Sequence, residues 1–215
     1  MSDFTWEQAP RPLPYPYPER DPSRLWVVES FLSIQGEGHR AGELSYFIRL
    51  ARCNLRCLGC DTFFDEYTVR TPEEIASEAR DSGARWAILT GGEPALHDLS
   101  RLVDHLHRVG LRVAIETNGT LLLPSTLEID WVTVSPKTTT PRQREGDELK
   151  VLMTPELSGE ELEAVFGPDR FPRFEHRFVQ PTWGCPASLA RAVAFVRGHP
   201  WWRLSVQVHK YIGEA

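Results

Sequence analysis

Apolar and polar positions along this chain form short strand-like runs separated by helix-like stretches. Runs rich in β-branched and aromatic residues, such as L-W-V-V-E-S-F-L-S-I, are typical of strands. The predicted strands are Leu25–Ile34, Leu44–Leu50, Arg85–Thr90, Leu111–Glu116, Trp131–Ser135, Leu149–Met153, Phe174–Val179 and Leu204–Val208. The predicted helices are residues 71–83, Leu99–Val109, Gly159–Phe166 and Pro186–Arg197. Because strands separated by helices are joined by right-handed crossovers, this order predicts a parallel sheet.

Two links between predicted strands, residues 121–130 and 136–148, are too short to hold a full helix and its turns. A complete eight-fold barrel is therefore not expected. The predicted fold class is α/β, a partial, open (β/α) barrel with a mostly parallel sheet. Its first helix has a complete start signal, with Thr71 as the N-cap, Pro72 at the first helical position and Glu74 completing a capping box.

The segment before the first strand has a different composition. Residues 10–22 contain six prolines, which remove backbone donors and restrict the chain to extended conformations. We therefore predict a proline-rich N-terminal arm over residues 1–24 and a single domain over residues 25–215.

The overall composition excludes several classes of protein. Of the 215 residues, 41% are hydrophobic and 25% are charged, which is ordinary for a globular domain, and no apolar run reaches membrane-spanning length. The net charge of −6 disfavours a large nucleic-acid interface, and residues 1–7 lack the pattern of a signal peptide. We expect a cytoplasmic protein without nucleic-acid or membrane partners.

Cysteines are concentrated in one loop. Cys53, Cys57 and Cys60 stand in C-x3-C-x2-C spacing, and three crowded cysteines favour metal binding over disulfide formation. Structural zinc sites usually have four protein ligands, whereas an iron–sulfur cubane held by three cysteines leaves one iron open. We favour the iron–sulfur cluster and keep zinc as the alternative. Cys185 is expected to be a buried thiol near a helix start.

Polar segments follow most of the predicted strands. In open α/β sheets and barrels, ligands bind outside the carboxyl ends of the strands, so these segments are expected to face one cleft. They are Gln35–Gly38, the cysteine loop, Thr90–Pro94, Glu116–Gly119, Ser135–Lys137, Gln180–Pro181 and His209–Lys210.

Individual residues in these segments have more than one interpretation. Arg49 lies inside the apolar strand Y-F-I-R-L and needs an anionic partner, either a substrate carboxylate or an internal Asp or Glu. Thr90–Pro94 is either a tight turn or a ligand site in which Glu93 accepts from an ammonium group. Lys137 is either a solvated lysine or a point charge for a carboxylate.

The cysteine spacing resembles the signature of the radical S-adenosylmethionine (SAM) superfamily. Further motifs occur in order along the chain: E-S-F-L-S-I-Q-G-E-G-H, F-I-R-L-A-R-C-N-L-R-C-L-G-C-D-T, T-G-G-E-P, E-T-N-G-T, S-P-K and H-K-Y-I-G. Together they are similar to the 7-carboxy-7-deazaguanine synthase family, from residue 25 to the C-terminus. The chain departs from the family pattern at Arg52, where glycine is common, at Leu58-Gly59, and at its last residue.

The resemblance implies a partial barrel of the radical SAM type and a set of site residues. A 4Fe-4S cluster would be held by Cys53, Cys57 and Cys60, and Mg2+ by Thr62. The residues implied to contact SAM are Gly59, Asp61, Gly92, Glu93, Ser135, Pro136, Lys137 and Gln180. Those implied to bind a pterin substrate are Ile34, Gln35, Gly36, Glu37, Arg49, Thr90, Glu116, His209 and Ala215.

The reaction implied by the resemblance is conversion of 6-carboxy-5,6,7,8-tetrahydropterin to 7-carboxy-7-deazaguanine with loss of ammonia, in queuosine-type 7-deazapurine biosynthesis. No side chain would be the principal reactant, because SAM and the cluster carry the chemistry. The resemblance also implies an electron donor such as flavodoxin or ferredoxin, and a homodimer. The alternatives are another radical SAM enzyme, such as a glycyl-radical activase, and a non-catalytic zinc or iron–sulfur module.

Overall fold

The computed structural model describes residues 20–57, 60, 62, 66–154 and 157–214. The strands in these ranges are β1 Leu25–Ile34, β2 Leu44–Leu50, β3 Thr68–Arg70, β4 Trp86–Gly91, β5 Arg112–Thr117, β6 Trp131–Val134, β7 Glu145–Met153, β8 Arg173–Pro181 and β9 Arg203–Leu204. The helices are α1 Pro72–Asp81, α2 Ser100–Arg108, α3 Gly159–Phe166, α4 Pro186–Gly198 and α5 Val208–Ile212. Short 3-10 helices occupy Gly38–Arg40 and Pro94–Leu96.

The described strands form one sheet in the order β3-β1-β2-β4-β5-β6-β7-β8-β9. From β2 to β9 every neighbouring pair is parallel, and β1 is antiparallel to both β2 and β3. Strands β3 and β9 are the two edges, so the sheet does not close. The predicted α/β fold, an open partial barrel with a mostly parallel sheet, is confirmed.

The outer face of the sheet is apolar. Alternate residues of β2, β4 and β5 point to this face, where Ile48, Leu89 and Ile115 are fully buried and pack in a core with residues of α1 and α2. A second core joins β7 and β8 to α3 and α4. Each fully buried Leu or Ile side chain stabilises the fold by roughly 1.5–3 kcal/mol. These cores hold the sheet rigid beneath the loops at its carboxyl edge.

Helix α1 begins as the sequence predicts. The hydroxyl of Thr71 accepts a hydrogen bond from the backbone N–H of Glu74, whose carboxylate accepts one from the backbone N–H of Thr71. This capping box satisfies two donors that the first turn of the helix leaves open. Predicted boundaries elsewhere differ from the structure by a few residues; β1, β2 and α3 match throughout.

The inner face of the sheet carries the polar residues. Because side chains alternate along a strand, the residues between the buried outer-face positions point inward, and they include Arg49 of β2, Thr90 of β4 and Glu116 of β5. Arg49 and Thr90 are register partners. Near the amino edge, the guanidinium carbon of Arg40 lies 3.2 Å from the centroid of the Trp86 ring. Burial lowers the pKa of Arg40 to about 10.

The segment after β1 reaches the site by a route that the sequence prediction did not anticipate. Since β1 is antiparallel, its last residue, Ile34, pairs with Leu44 at the amino edge of β2. Residues 35–38 then cross the open side of the barrel. There the N–H of Gly38 donates to Ser205 Oγ at 3.0 Å, and the N–H of Val208 donates to the carbonyl of Gly36 at 2.9 Å. Hydrogen-bonded loops therefore close the side that the strands leave open.

The predicted strand Leu204–Val208 is present but much shorter, and residues 205–208 are not part of it. Strand β9 contains only Arg203 and Leu204, which pair with Phe178 and Val179 of β8. The contact between Val208 and Gly36 draws the following chain away from the sheet, and Val208 begins helix α5 instead. Strand β3 was not predicted from the sequence. Strand β7 begins at Glu145, whereas the predicted strand begins at Leu149.

The predicted proline-rich arm falls mainly outside the described residues, which start at residue 20. Among the described residues, no helix combines the length and the apolar character needed to cross a membrane.

Candidate active site

The cysteine loop follows β2 directly, at the carboxyl edge of the sheet. Cys53 is buried, Cys57 is partly exposed and Cys60 is exposed. The thiol of Cys53 accepts from the backbone N–H of Leu55 at 3.4 Å and lies 3.9 Å from Nδ2 of Asn118, which donates to it. N–H donors of this kind stabilise thiolate sulfur and tune iron–sulfur clusters.

The cysteine loop holds three neighbouring thiols. Cys57 and Cys60 lie near enough to Cys53 to interact with it electrostatically. In a cubane each cysteine binds a different iron, so three neighbouring thiols suit such a cluster. Among the described residues, no group of three His, Cys, Asp or Glu side chains is arranged to hold a metal ion. Burial raises the pKa of Cys53 to about 12.

The Thr90–Pro94 motif packs against the cysteine loop. The N–H of Gly92 donates to the carbonyl of Leu50 at 2.9 Å, and the N–H of Glu93 donates to the carbonyl of Arg52 at 2.8 Å. A Cβ atom on Gly92 would lie 1.8 Å from the Arg52 carbonyl oxygen. Arg52 itself has a φ of 69°, a left-handed conformation that explains why glycine is usual there. The glycines of this motif therefore shape the cysteine loop.

The carboxylate of Glu93 is fully buried and extensively hydrogen-bonded. It accepts from the N–H of Ala95 at 2.9 Å, the hydroxyl of Thr117 at 2.7 Å and the N–H of Asn118 at 2.7 Å. Burial raises its pKa despite these donors. Glu93 thus connects the turn after β4 to the end of β5 through hydrogen bonds. These bonds fix the positions of both segments beside the cysteine loop.

Lys137 links the cysteine loop to the inner face. Its ammonium group donates to the hydroxyl of Ser135 at 2.6 Å and to the Ser135 carbonyl at 3.0 Å. Burial lowers its pKa, while the nearby charges of Cys57 and Glu37 act in the opposite direction. Lys137 is half-buried. Pro136, between the two residues, is buried.

Four predicted residues from separate parts of the chain meet on the inner face. The side chain of Gln35 donates to Glu116 at 3.0 Å, and that of Gln180 donates to Glu37 at 3.1 Å. The sequence interpretation missed Lys150 of β7, whose ammonium group forms ion pairs with both Glu37 and Glu116. A lysine inside the apolar strand L-K-V-L-M is the same signal that drew attention to Arg49. These residues, Gln35, Glu37, Glu116, Lys150 and Gln180, are termed the inner-face cluster.

Arg49 pairs with an internal carboxylate, which is one of the two kinds of partner that the sequence allows. Its Nε donates to Glu29 at 2.7 Å, and its Nη1 donates to the hydroxyl of Thr62 at 3.3 Å. The thiol of Cys60 also lies 3.8 Å from the carbonyl oxygen of Thr62. The predicted magnesium ligand is therefore adjacent to both the cysteine loop and Arg49.

Other predicted residues lie around this set or outside the description. A Cβ atom on Gly36 would overlap the His209 ring, so His209 packs directly on the segment that crosses the open side. Ile34 ends β1 half-buried. Gly59, Asp61 and Ala215 lie outside the described residues.

Two side predictions are also settled. Cys185 is the N-cap residue of α4, as its predicted place near a helix start requires, but it is partly exposed rather than buried. Three histidines outside the site have local partners: His97 contacts the carbonyl of Ala51, His105 pairs with Glu73, and His107 pairs with Asp130.

Comparison with known proteins identifies the architecture. Residues 47–164 match the Radical SAM superfamily. The chain is 42% identical to the 7-carboxy-7-deazaguanine synthase of Bacteroides thetaiotaomicron, over 86% of this chain and 96% of that protein. Identity to the Caulobacter vibrioides 7-carboxy-7-deazaguanine synthase is 37%, over 87% and 97% respectively.

This chain belongs to the 7-carboxy-7-deazaguanine synthase family. The crystal structure of QueE from Escherichia coli superposes with a TM-score of 0.69 at 26% identity, over 86% of this chain and 95% of that one. As a radical SAM protein, this family member uses a 4Fe-4S cluster and SAM. The cysteine loop described above is the part of the chain whose donor set fits that cluster.

Proposed function

We propose that this chain converts 6-carboxy-5,6,7,8-tetrahydropterin to 7-carboxy-7-deazaguanine, with release of ammonia, as a radical SAM lyase. Membership in the 7-carboxy-7-deazaguanine synthase family over 86% of the chain supports the reaction. The single structural observation that carries it is the inner-face cluster, which lies inside the open barrel with carboxylate and amide groups for a small polar ring.

The proposed division of the site follows the sheet. SAM would lie against the carboxyl edge, near Gly92, Glu93, the segment Ser135–Lys137 and Gln180. The pterin would lie deeper, between Thr90, Arg49, His209 and the inner-face cluster. Half-buried Lys137 supports the contact between the two sites, because its pKa responds both to Cys57 at the carboxyl edge and to Glu37 and Glu116 on the inner face.

When bound, the cluster and SAM supply the one-electron chemistry that removes a hydrogen atom from C6 of the pterin. The residues of this chain bind, orient and shield. The acceptors Glu37 and Glu116 would hold the amino-bearing edge of the pterin, and Arg49 its carboxylate. Arg40 on the Trp86 ring closes the amino edge, which restricts water entry from below.

Thr62 is the proposed ligand of Mg2+, a hard cation that takes oxygen ligands and keeps several waters. Its hydroxyl accepts from Arg49 in the structure. A cation at Thr62 would repel the guanidinium, so Arg49 would turn to a different acceptor. The carboxylate of the pterin is the acceptor that we propose.

The proposed partners are an electron donor of the flavodoxin or ferredoxin type and a second copy of the chain, in the cytoplasm. Sedimentation of the reconstituted protein would test the dimer. Reduction of the cluster by purified flavodoxin or ferredoxin would test the donor.

The decisive experiment is anaerobic reconstitution followed by incubation with the carboxylated tetrahydropterin, SAM, a reductant and Mg2+. We expect 5′-deoxyadenosine, methionine and the deazaguanine product together. Formation of 5′-deoxyadenosine without the deazaguanine would favour another radical SAM reaction, such as glycyl-radical activation. No 5′-deoxyadenosine from protein with full iron and sulfide content would contradict the radical SAM activity itself.

Two cysteine variants provide matched controls for the cluster. Cys53→Ser should lose iron, sulfide and product together, because it removes a ligand from the loop. Cys185→Ser should retain all three, because Cys185 is the N-cap residue of α4, where its side chain makes no capping hydrogen bond, and lies away from the C-x3-C-x2-C loop in sequence. Iron loss from Cys185→Ser would contradict the assignment of three cysteine ligands.

A further inference from the structure

Lys150 is a buried cation that the cofactor chemistry does not require. It lies in β7, and its side chain is 5% exposed. Its neighbours Leu149 and Val151 point to the outer face and belong to the apolar core. An ammonium group is almost never buried in this way unless partners compensate for lost water.

The partners of Lys150 are two carboxylates that approach from different parts of the fold. Glu37 belongs to the segment that crosses the open side, and Glu116 lies near the carboxyl end of β5. Oε2 of Glu37 contacts the Lys150 ammonium directly, and Oε2 of Glu116 lies 3.7 Å from it. One cation therefore stands between the two acidic groups.

The other oxygen of each carboxylate is held by neutral amide groups. Oε1 of Glu37 accepts from Gln207 at 2.8 Å and from Gln180 at 3.1 Å, and Oε1 of Glu116 accepts from Gln35 at 3.0 Å. Each carboxylate is thus fixed at both oxygens, by an amide group on one side and by Lys150 on the other.

The electrostatics agree with this geometry. Burial alone would raise the pKa of Glu37, but Lys150, Gln207 and His209 together outweigh that effect and lower the pKa to about 2. Burial also disfavours the charged form of Lys150, yet the surrounding carboxylates raise its pKa above the usual value. Both carboxylates therefore have a permanent cation beside them.

The ligand chemistry explains why fixed, ionised carboxylates are useful here. The pyrimidinone edge of a pterin presents two neighbouring N–H donors, the ring N3–H and the 2-amino group. An ionised carboxylate can accept a hydrogen bond from both of these donors, one at each oxygen. In a protonated carboxyl group one oxygen carries the hydrogen and becomes a donor. We propose that Lys150 is a positioning residue that holds Glu37 and Glu116 ready to accept the amino-bearing edge of the pterin. This inference rests on the proposed pterin substrate.

The test is pterin binding to reconstituted protein under anaerobic conditions without reductant, measured by calorimetry, with SAM binding and iron content measured in parallel. Lys150→Met keeps the length of the side chain and removes its charge. We expect a loss of pterin affinity of about 30-fold or more, with SAM affinity and iron content unchanged. Lys150→Arg, which retains the cation, should recover most of the loss.

Arg173→Met is the matched control. It removes a cation of β8 that is paired with Glu145 of β7, and both side chains of that pair are exposed. Pterin affinity should stay at the wild-type value in this variant. If wild-type protein binds and converts the pterin while Lys150→Met binds it equally well, the positioning role is refuted. If the wild type neither binds nor converts the pterin, the proposed function fails instead.

A double variant covers the case in which Lys150→Met does not fold. Lys150→Met with Glu37→Gln replaces the buried ion pair by two neutral side chains, so no unpaired charge is left between them. Because Lys150 also pairs with Glu116, the double variant should still bind pterin less tightly than Glu37→Gln, but this added loss should be clearly smaller than the loss from Lys150→Met in the wild-type background. A further loss equal to the full effect of the lysine would show independent action and overturn the proposal.

Discussion

Gly92→Ala is the substitution whose effect follows most directly from the structure. The added Cβ would lie 1.8 Å from the carbonyl oxygen of Arg52 and 2.4 Å from its carbon, whereas real Cβ atoms essentially never approach other atoms closer than 3.0 Å. Both obstructing atoms are backbone, so no side chain can rotate away. The cysteine loop and the turn after β4 must therefore separate by roughly 1 Å in this closely packed region.

This separation weakens two backbone hydrogen bonds, from Gly92 to Leu50 and from Glu93 to Arg52. Each contributes about 1 kcal/mol net, and a buried group left without a partner costs about 1–3 kcal/mol more. The free energy of unfolding should fall by about 2–4 kcal/mol. For a chain of this size each kcal/mol corresponds to about 2–4 °C, so the melting temperature should fall by roughly 5–15 °C.

Thermal unfolding of the metal-free protein and iron content after reconstitution are the two measurements. We expect Gly92→Ala to melt earlier and to retain less than about half of the wild-type iron, because Cys53 follows the displaced Arg52. Gly198→Ala is the control, since nothing lies within 4 Å of the added atom, and its effect should stay under about 1 kcal/mol. Wild-type melting and full iron content in Gly92→Ala would refute the close approach.

Each of the remaining variants tests one contact or one proposed ligand. Thr71→Ala removes the capping box of α1 and should lower the free energy of unfolding by about 1 kcal/mol in chemical denaturation; no change would argue against the cap. The hydrogen bond from Arg70 holds the pKa of the Glu78 carboxyl group below its usual value. Ionised Glu78 therefore stabilises the fold fully above about pH 4.5, and this stabilisation is lost as the pH falls through the pKa of Glu78 in the folded protein. Glu78→Gln should therefore lose stability less steeply than wild type in thermal unfolding below about pH 4.5, and equal slopes would contradict this. Arg49→Ala should weaken pterin binding by on the order of tenfold or more with unchanged iron content, and unchanged affinity would rule out the carboxylate contact. Thr62→Val should abolish any Mg2+ dependence of pterin binding measured by calorimetry, and retained dependence would place the cation elsewhere.

The sequence predicts local features of this fold well because they depend on neighbouring residues. The capping box at Thr71 and the apolar runs of β1 and β2 are complete within a few positions. The short β9 could not be predicted in the same way. Residues 204–208 have strand-like composition, but a long-range hydrogen bond between Val208 and Gly36 decides their path.

The site shows the same limit. The rule that ligands lie at the carboxyl ends of parallel strands correctly directs attention to Glu116 and Gln180. It gives the wrong reason for Glu37, because β1 runs antiparallel and its following segment crosses the open side of the barrel. Lys150 was within reach of sequence reasoning, since a lone cation in an apolar strand requires a buried anion. Its two partners, 113 positions away and near the end of β5, could be known only from the fold.

The two segments that close the open side of the barrel lie outside the part of the chain that matches the Radical SAM superfamily. The Radical SAM superfamily match covers residues 47–164, which include the cysteine loop, the Thr90–Pro94 turn and Lys137. The two segments that meet across the opening, residues 35–38 and 205–209, lie outside it, and they contribute Glu37 and His209. The cysteine loop thus lies within the residues that match a large superfamily, whereas two short segments outside that match cover the open side. Substitutions in these two short segments would change one side of the proposed pterin pocket and leave the cysteine loop in place.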